Sequence, residues 1–289
     1  MSIIAFHGDP AIKSDAVARL RRHIDAGTFR YNPPWDNHGA TALGAIAEDG
    51  GAEAYSERLG FPLALAAILD QLINDGYGKL DDAIAFALEW LEGTPVGADL
   101  SQVASSTLLV ILSEPGLLEL TGGDARMEQA RLGVLDLHSR AMGGEDISRQ
   151  TWKAARSEAL AASDAAENDP LLRGAGAVAE AAAWPATMRT VLSDTISARG
   201  LMEVRRRLDS IGWTDELETR IFYIMKDAGE RFAEIAGVDR VHAILEADHP
   251  ELAPRFKLRL KQMEQLGDAT AAIGRHVLDQ LAEAPDVTA

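Results

Sequence analysis

The chain of 289 residues contains no cysteine. That absence excludes disulfides, thiolate-ligated zinc, iron–sulfur clusters and every cysteine nucleophile. Basic residues are also scarce, 28 Lys and Arg against 45 Asp and Glu, giving a formal charge of -17. A field of that sign repels phosphate backbones and anionic lipid, so no direct nucleic-acid or membrane partner is expected. No uninterrupted apolar run is long enough to span a bilayer. The stretch from Met1 to Pro10 lacks the basic region and long apolar segment of a secretory signal, which makes a cytoplasmic location the expectation. Walker-type phosphate loops, H-E-x-x-H helices, G-x-S-x-G elbows, EF-hand loops and fixed-period repeats are missing as well.

What is present reads as one amphipathic helix after another. Hydrophobic content of 47% with 25% charged residues is globular composition, and the length exceeds that of a usual single domain. The fold class predicted is all-α, a multi-helix bundle or array of two packed helical units. Asp9 and Pro10 have the form of a helix start, Val17, Leu20 and Ile24 share a face, and Gly27 is a stop. Arg19, Arg21, Arg22 and His23 fall near that helix's C-terminal end, where cations complement its dipole. Pro62 opens a stripe of Leu65, Ile68, Leu69, Leu72 and Ile73, and a second stripe through Leu80, Ile84, Leu88 and Leu91 follows a glycine-containing turn, predicting a helical hairpin. Leu108 to Leu112 fits a buried strand by pattern, but no partner strand is in sight, so a buried helix is expected.

Thr121-Gly-Gly is a strong breaker, which places the division between an N-terminal unit, 1–122, and a C-terminal array, 123–289. In the second part Ser148 caps an alanine-rich helix from Arg149 to Ala166. Leu171 to Trp184, Pro185 to Ala198 and Leu201 to Ile211 read as further helices, some of them segments of one kinked helix. Thr214 caps a core helix with Leu217, Ile221, Ile224, Ala228, Phe232 and Ile235 inward, closed by Gly237. The last few residues are expected to be disordered.

Three constellations carry chemistry. Gly174-Ala-Gly-Ala-Val-Ala179 has the form of a dinucleotide fingerprint, yet no strand delivers the chain to it, and close helix packing explains small residues more simply. His242, Glu246 and His249 would share one side of a continuous helix, but a second Glu-x-x-His is missing and Pro250 pulls His249 out of helical geometry, so no metal and no cofactor is expected. The third is the non-helical block from Tyr31 to His38. Tyr31, Trp35, Asp36, Asn37 and His38 together offer aromatic faces, a carboxylate, an amide and an imidazole to a ligand or partner. The competing reading has Tyr31 and Trp35 plugging the end of the core while Asp36 and Asn37 satisfy the turn.

Tyr31 to Gly44, Tyr55-Ser-Glu-Arg-Leu-Gly-Phe-Pro62, Val96-Gly-Ala-Asp-Leu-Ser101 and Trp152-Lys-Ala-Ala-Arg-Ser157 together resemble an uncharacterised family of helical proteins from bacteria and their phages. The resemblance implies an all-helical fold and a mobile-element origin. Its members often carry cysteines around the glycine equivalent to Gly44, where this chain has Thr41 and Ala45, so any thiol role is absent here. No activity, substrate or catalytic residue comes with it.

The function expected is therefore non-enzymatic: a helical surface that binds a protein partner or self-associates, within a phage or host assembly. Two alternatives stand beside it. One is a small-molecule enzyme or binder using the Tyr31 to His38 loop, and the other is an acidic mimic of DNA directed at a basic target.

Overall fold

A computed structural model describes residues 3–32, 34–48, 51–235 and 237–287. Helix makes up 72% of the chain, in 14 helices among the described residues, beside a two-stranded ribbon. The all-α expectation is thus met, and Leu108 to Leu112 is helical rather than a strand. Two compact units emerge, residues 1–201 with 267–289 and residues 202–266.

The larger unit begins with a tight turn, Ala5–Gly8, in which Phe6 and His7 both adopt left-handed backbone angles (φ 54° and 51°). Such angles cost side-chain-bearing residues about 1–2 kcal/mol each. Burial of the Phe6 ring edge-on to Phe61, centroids 5.4 Å apart, offsets that cost. α1 (Pro10–Asp25) then starts where its sequence predicts, with Asp9 accepting the Ala11 amide at 2.8 Å.

α2 (Ala42–Ala47), α3 (Ala52–Leu59), α4 (Leu63–Gly76) and α5 (Leu80–Gly93) follow. Their interior is an aromatic chain in which Tyr55 meets Phe61 edge-on, Phe61 stacks on Trp90, and Trp90 meets Phe86. The indole N–H of this chain is satisfied internally, because Trp90 Nε1 donates to the Tyr55 hydroxyl at 3.0 Å.

α6 (Val103–Leu112) and α7 (Pro115–Thr121) lead to α8 (Ala125–Met142), α9 (Arg149–Ala165) and α10 (Pro170–Ala182). α8 packs on α6 as well as on α9 and α10, so the glycines at 122–123 turn the chain without ending a unit. This is why the compact units divide elsewhere than between residues 122 and 123. The Gly174–Ala179 stretch lies wholly inside α10, where a Cβ on Gly176 would stand 2.7 Å from Ser163 Cβ of α9. Its small residues let two helices touch.

Residues 285–287 contradict the expectation of a disordered end. The Asp99 amide donates to the Pro285 carbonyl at 2.8 Å and the Val287 amide to Gly97 at 3.1 Å. The same segment pairs on its other side with the N-terminus, Ala5 donating to Ala98 and Gly97 to Ala5. Val96 to Ser101 is therefore the strand-like tie that collects both ends of the described chain. Residues 288 and 289, for which disorder was also expected, lie outside the described residues.

α11 (Val191–Ser210) runs unbroken through Gly200, so the helices expected at 185–198 and 201–211 are largely one. A helical glycine costs about 1 kcal/mol, too little to stop a helix sustained on both sides. Pro185 instead falls in a turn before it.

The smaller unit contains α12 (Asp215–Ala228) and α13 (Gly237–Asp248), with parts of α11 and of α14 (Ala253–Ala282). Its core gathers Trp213, Ile221, Leu245, Leu252, Ala253 and Phe256. α12 is capped by Thr214 as expected but ends at Ala228, because Gly229 turns the chain at φ 54°. Phe232 and Ile235 lie beyond it, and Gly237 opens α13 rather than closing α12.

No single helix among the described residues is long and apolar enough to cross a membrane. α6 and α7 pass such a test only as a pair bent by 54°. Most of their apolar side chains, including Val103, Leu108, Ile111, Leu112 and Leu117, are buried in the protein.

Candidate functional site

The block after α1 folds into a small ribbon, β1 (Trp35–Asp36) paired antiparallel with β2 (Gly39–Ala40). Asn37 and His38 form its two-residue turn. Asp36 fixes the turn twice, accepting the His38 amide at 2.6 Å and pairing with the Arg30 guanidinium at 2.5 Å. The Arg30 hydrogen bond, then the His38 amide, holds the Asp36 carboxyl below its ordinary range. Arg30 also donates to the Gly39 carbonyl at 2.9 Å.

Close backbone approaches seat the ribbon. A Cβ at Gly39 would stand 2.2 Å from the Thr28 carbonyl oxygen, and one at Gly44 would stand 1.9 Å from that of Pro34. Neither position accepts a side chain in this arrangement. Pro33 lies outside the described residues.

The five residues singled out do not converge on one point. Trp35, 40% exposed, meets the His23 ring of α1 edge-on at 5.3 Å. Asp36 serves the turn, and Asn37 and His38 lie on its exposed tip. Tyr31 is half-buried, with its hydroxyl shut from solvent and lacking a hydrogen-bond partner among the described residues, as is Arg30 Nε. Burial, then the charge of Asp82, raises the Tyr31 hydroxyl above its ordinary pKa.

Behind the ribbon, Asp70 of α4 reaches the first turn of α2. Its carboxylate accepts the Thr41 hydroxyl at 2.5 Å and the Leu43 amide at 2.9 Å, while Thr41 caps α2 through the Gly44 amide at 3.2 Å. A carboxylate at a helix N-terminus is favoured by the dipole and the free amides. Burial nevertheless pushes the Asp70 carboxyl upward, opposed by those two hydrogen bonds. Asp70 carries no local signal in the sequence, because 29 residues separate it from Thr41.

A second cluster adjoins the Trp35–His23 pair. Glu48, left-handed at φ 60°, ends α2 and gathers arginines from two other helices. Arg19 Nη1 lies 3.0 Å from its carboxylate, Arg22 Nη2 3.2 Å and Arg58 Nη1 3.8 Å. Beside them, Ile12, Ala16, Ile46 and Leu59 line an apolar groove of about 200 Å³, with Asp15, Arg19 and Arg58 at its border. Burial and the Arg22 charge lower the His23 pKa, while Glu48 opposes them, so the imidazole belongs to the same electrostatic neighbourhood. Arg19 and Arg22 thus do more than complement the dipole of α1, since they tie it to the end of α2.

Two other arrangements bear on function. Ser106 and His276 approach to 3.0 Å, joining α6 to α14, and burial lowers the His276 pKa. No carboxylate lies within ion-pair distance of that histidine among the described residues, and Ser106 sits inside a helix whose amides are spent on the helix itself. The contact ties α6 to α14. His242 lies 3.6 Å from Glu246 and His249 lies 3.9 Å from Glu251, and the described residues hold no group of three or more His, Asp or Glu side chains placed to share a metal ion.

The smaller unit carries the most exposed aromatic pair. Phe222 and Tyr223, 64% and 55% exposed, meet edge-on at 5.6 Å on the outer side of α12, away from Ile221 in the core. No protein-family model, no curated protein and no solved structure matches this chain.

Proposed function

We propose that this chain is a non-enzymatic protein-binding protein, acting within a host or phage assembly, whose principal contact surface is the outer face of α12. The supporting observation is the Phe222–Tyr223 pair. Large aromatic side chains at this exposure leave apolar area in water at a position where Ile221 already supplies the contact with the core. Aromatic residues are also those that dominate binding energy at protein interfaces.

Charge favours the same unit. Across 202–266 acidic and basic residues are nearly balanced, whereas the whole chain carries 45 against 28. A partner approaching α12, including a second copy, meets little like-charge repulsion there.

Affinity capture from the native host, together with sedimentation of the purified protein, tests the reading. The wild type captures a protein or sediments as an oligomer, and Phe222→Ser with Tyr223→Ser abolishes whichever is seen. A wild type that stays monomeric and captures nothing contradicts it.

A further inference from the structure

The outer side of α12 is patterned beyond its aromatic pair. Asp215, Thr219, Phe222 and Lys226 recur at intervals of four, three and four residues, so they stand in one line along the helix, away from the buried Ile221 and Ala228. All four side chains are exposed, Phe222 at 64%. From the N-terminal end of the helix the line runs acid, small, aromatic, base.

That order is complementary to itself. The four positions are symmetric about the level between Arg220 and Ile221, so two copies of α12 laid antiparallel bring Asp215 of each to Lys226 of the other, and Thr219 of each to Phe222 of the other. Twofold symmetry then makes every contact twice. A parallel pairing would set Asp215 on Asp215 and Lys226 on Lys226, so charge selects the antiparallel one. Neither charge is spent within its own chain: Asp215 comes only to 3.8 Å from Arg205, and Lys226 joins no ion pair among the described residues. The charges flanking the line are engaged instead, Glu218 with Arg259 and Arg220 with Glu251. A partner for this face must carry the reverse order, base, aromatic, small, acid, and a second copy of the helix already does.

We infer that α12 pairs antiparallel with α12 of a second copy of this chain, forming a twofold dimer with Phe222 of each copy seated over Thr219 of the other and an Asp215–Lys226 ion pair at each end. The inference rests on the protein-binding reading of α12 and commits it to one partner. A helix of 14 residues is about 21 Å long. The contact therefore belongs to the small class of interfaces, and the dimer dissociates on dilution.

Sedimentation velocity of the full chain from about 5 µM to about 500 µM is the test. The wild type shifts from monomer to dimer across that range. Thr219→Lys, a change at an exposed position outside the capping turn, abolishes the shift while thermal melting stays as in the wild type. Lys226→Glu and Asp215→Lys each weaken dimerisation by about tenfold. An equimolar mixture of those two variants dimerises as the wild type does, because each then meets its opposite charge at both ends. A mixture no better than either variant alone, or a Thr219→Lys chain that dimerises normally, overturns the proposal. So does a wild type that stays monomeric at the highest concentration. If that monomer still captures a host protein through Phe222 and Tyr223, the dimer alone is lost, and if it captures nothing the protein-binding reading falls with it.

Discussion

His138 Nε2 donates to the Ala182 carbonyl across 2.8 Å, linking α8 to the end of α10 in a place no solvent reaches. The ring also packs on Trp152, centroids 4.8 Å apart, and its Nδ1 has no hydrogen-bond partner among the described residues. Burial lowers the pKa to about 4, the Ala182 carbonyl opposing it.

Acid should therefore loosen this region. The folded-state pKa lies below the ordinary 6.5, so between those values the unfolded chain binds the proton that the folded chain refuses. The stability present above pH 6.5 falls as pH drops toward 4, by about 3 kcal/mol for this group. Urea unfolding at pH 7 and at pH 4.5 measures it. His138→Phe, which keeps the ring stacked on Trp152, should show a correspondingly smaller loss over the same interval.

Two glycine substitutions should act in opposite directions. Gly44→Ala drives a methyl group to 1.9 Å from the Pro34 carbonyl oxygen and should cost about 1–3 kcal/mol as the ribbon is displaced. Gly133→Ala, inside α8 with nothing within 4 Å of the added carbon, should stabilise by about 1 kcal/mol. Thermal melts of the two variants compare them, and equal effects would show that the ribbon is not seated on Gly44.

Asp70 separates the cost of a cap from the cost of a charge. Asp70→Ala leaves the Thr41 hydroxyl and Leu43 amide without their acceptor and should lose about 2 kcal/mol. Asp70→Asn keeps an acceptor oxygen and removes a carboxylate that burial disfavours, so it should lose less than half as much. Chemical denaturation decides, and an equal loss in both variants would mean that the negative charge itself holds α2.

Tyr31→Phe is expected to be neutral or to stabilise by up to about 1 kcal/mol, because the hydroxyl it removes is buried without a partner among the described residues. Equilibrium unfolding of the variant checks this. A loss above 1 kcal/mol would show the hydroxyl to be engaged.

Helices were legible wherever a cap and a stripe coincide, as at Asp9 with Leu20 or Thr214 with Ile221, because those signals act within a few residues. Helix ends were less so. Gly200 and Gly229 look alike as residues, yet one is carried through α11 and the other turns the chain at positive φ, a difference set by tertiary surroundings. Asp70 under α2, Glu48 among three arginines, and 97–100 between both chain ends arise from contacts between distant segments, for which no local spacing exists. Of the Tyr31 to His38 block, its non-helical nature was visible, but the dispersal of its side chains was not, because Arg30 and His23 draw two of them to different neighbours.

The most direct measurement is photo-crosslinking in the native host with a benzophenone amino acid at position 222, and a matched control at exposed position 81 on α5. A discrete protein adduct from position 222, of this chain with itself or with another protein, and none from position 81, is the result expected if α12 is the contact surface. Adducts equal at the two positions, or no protein adduct from position 222 in a correctly folded chain, would contradict it.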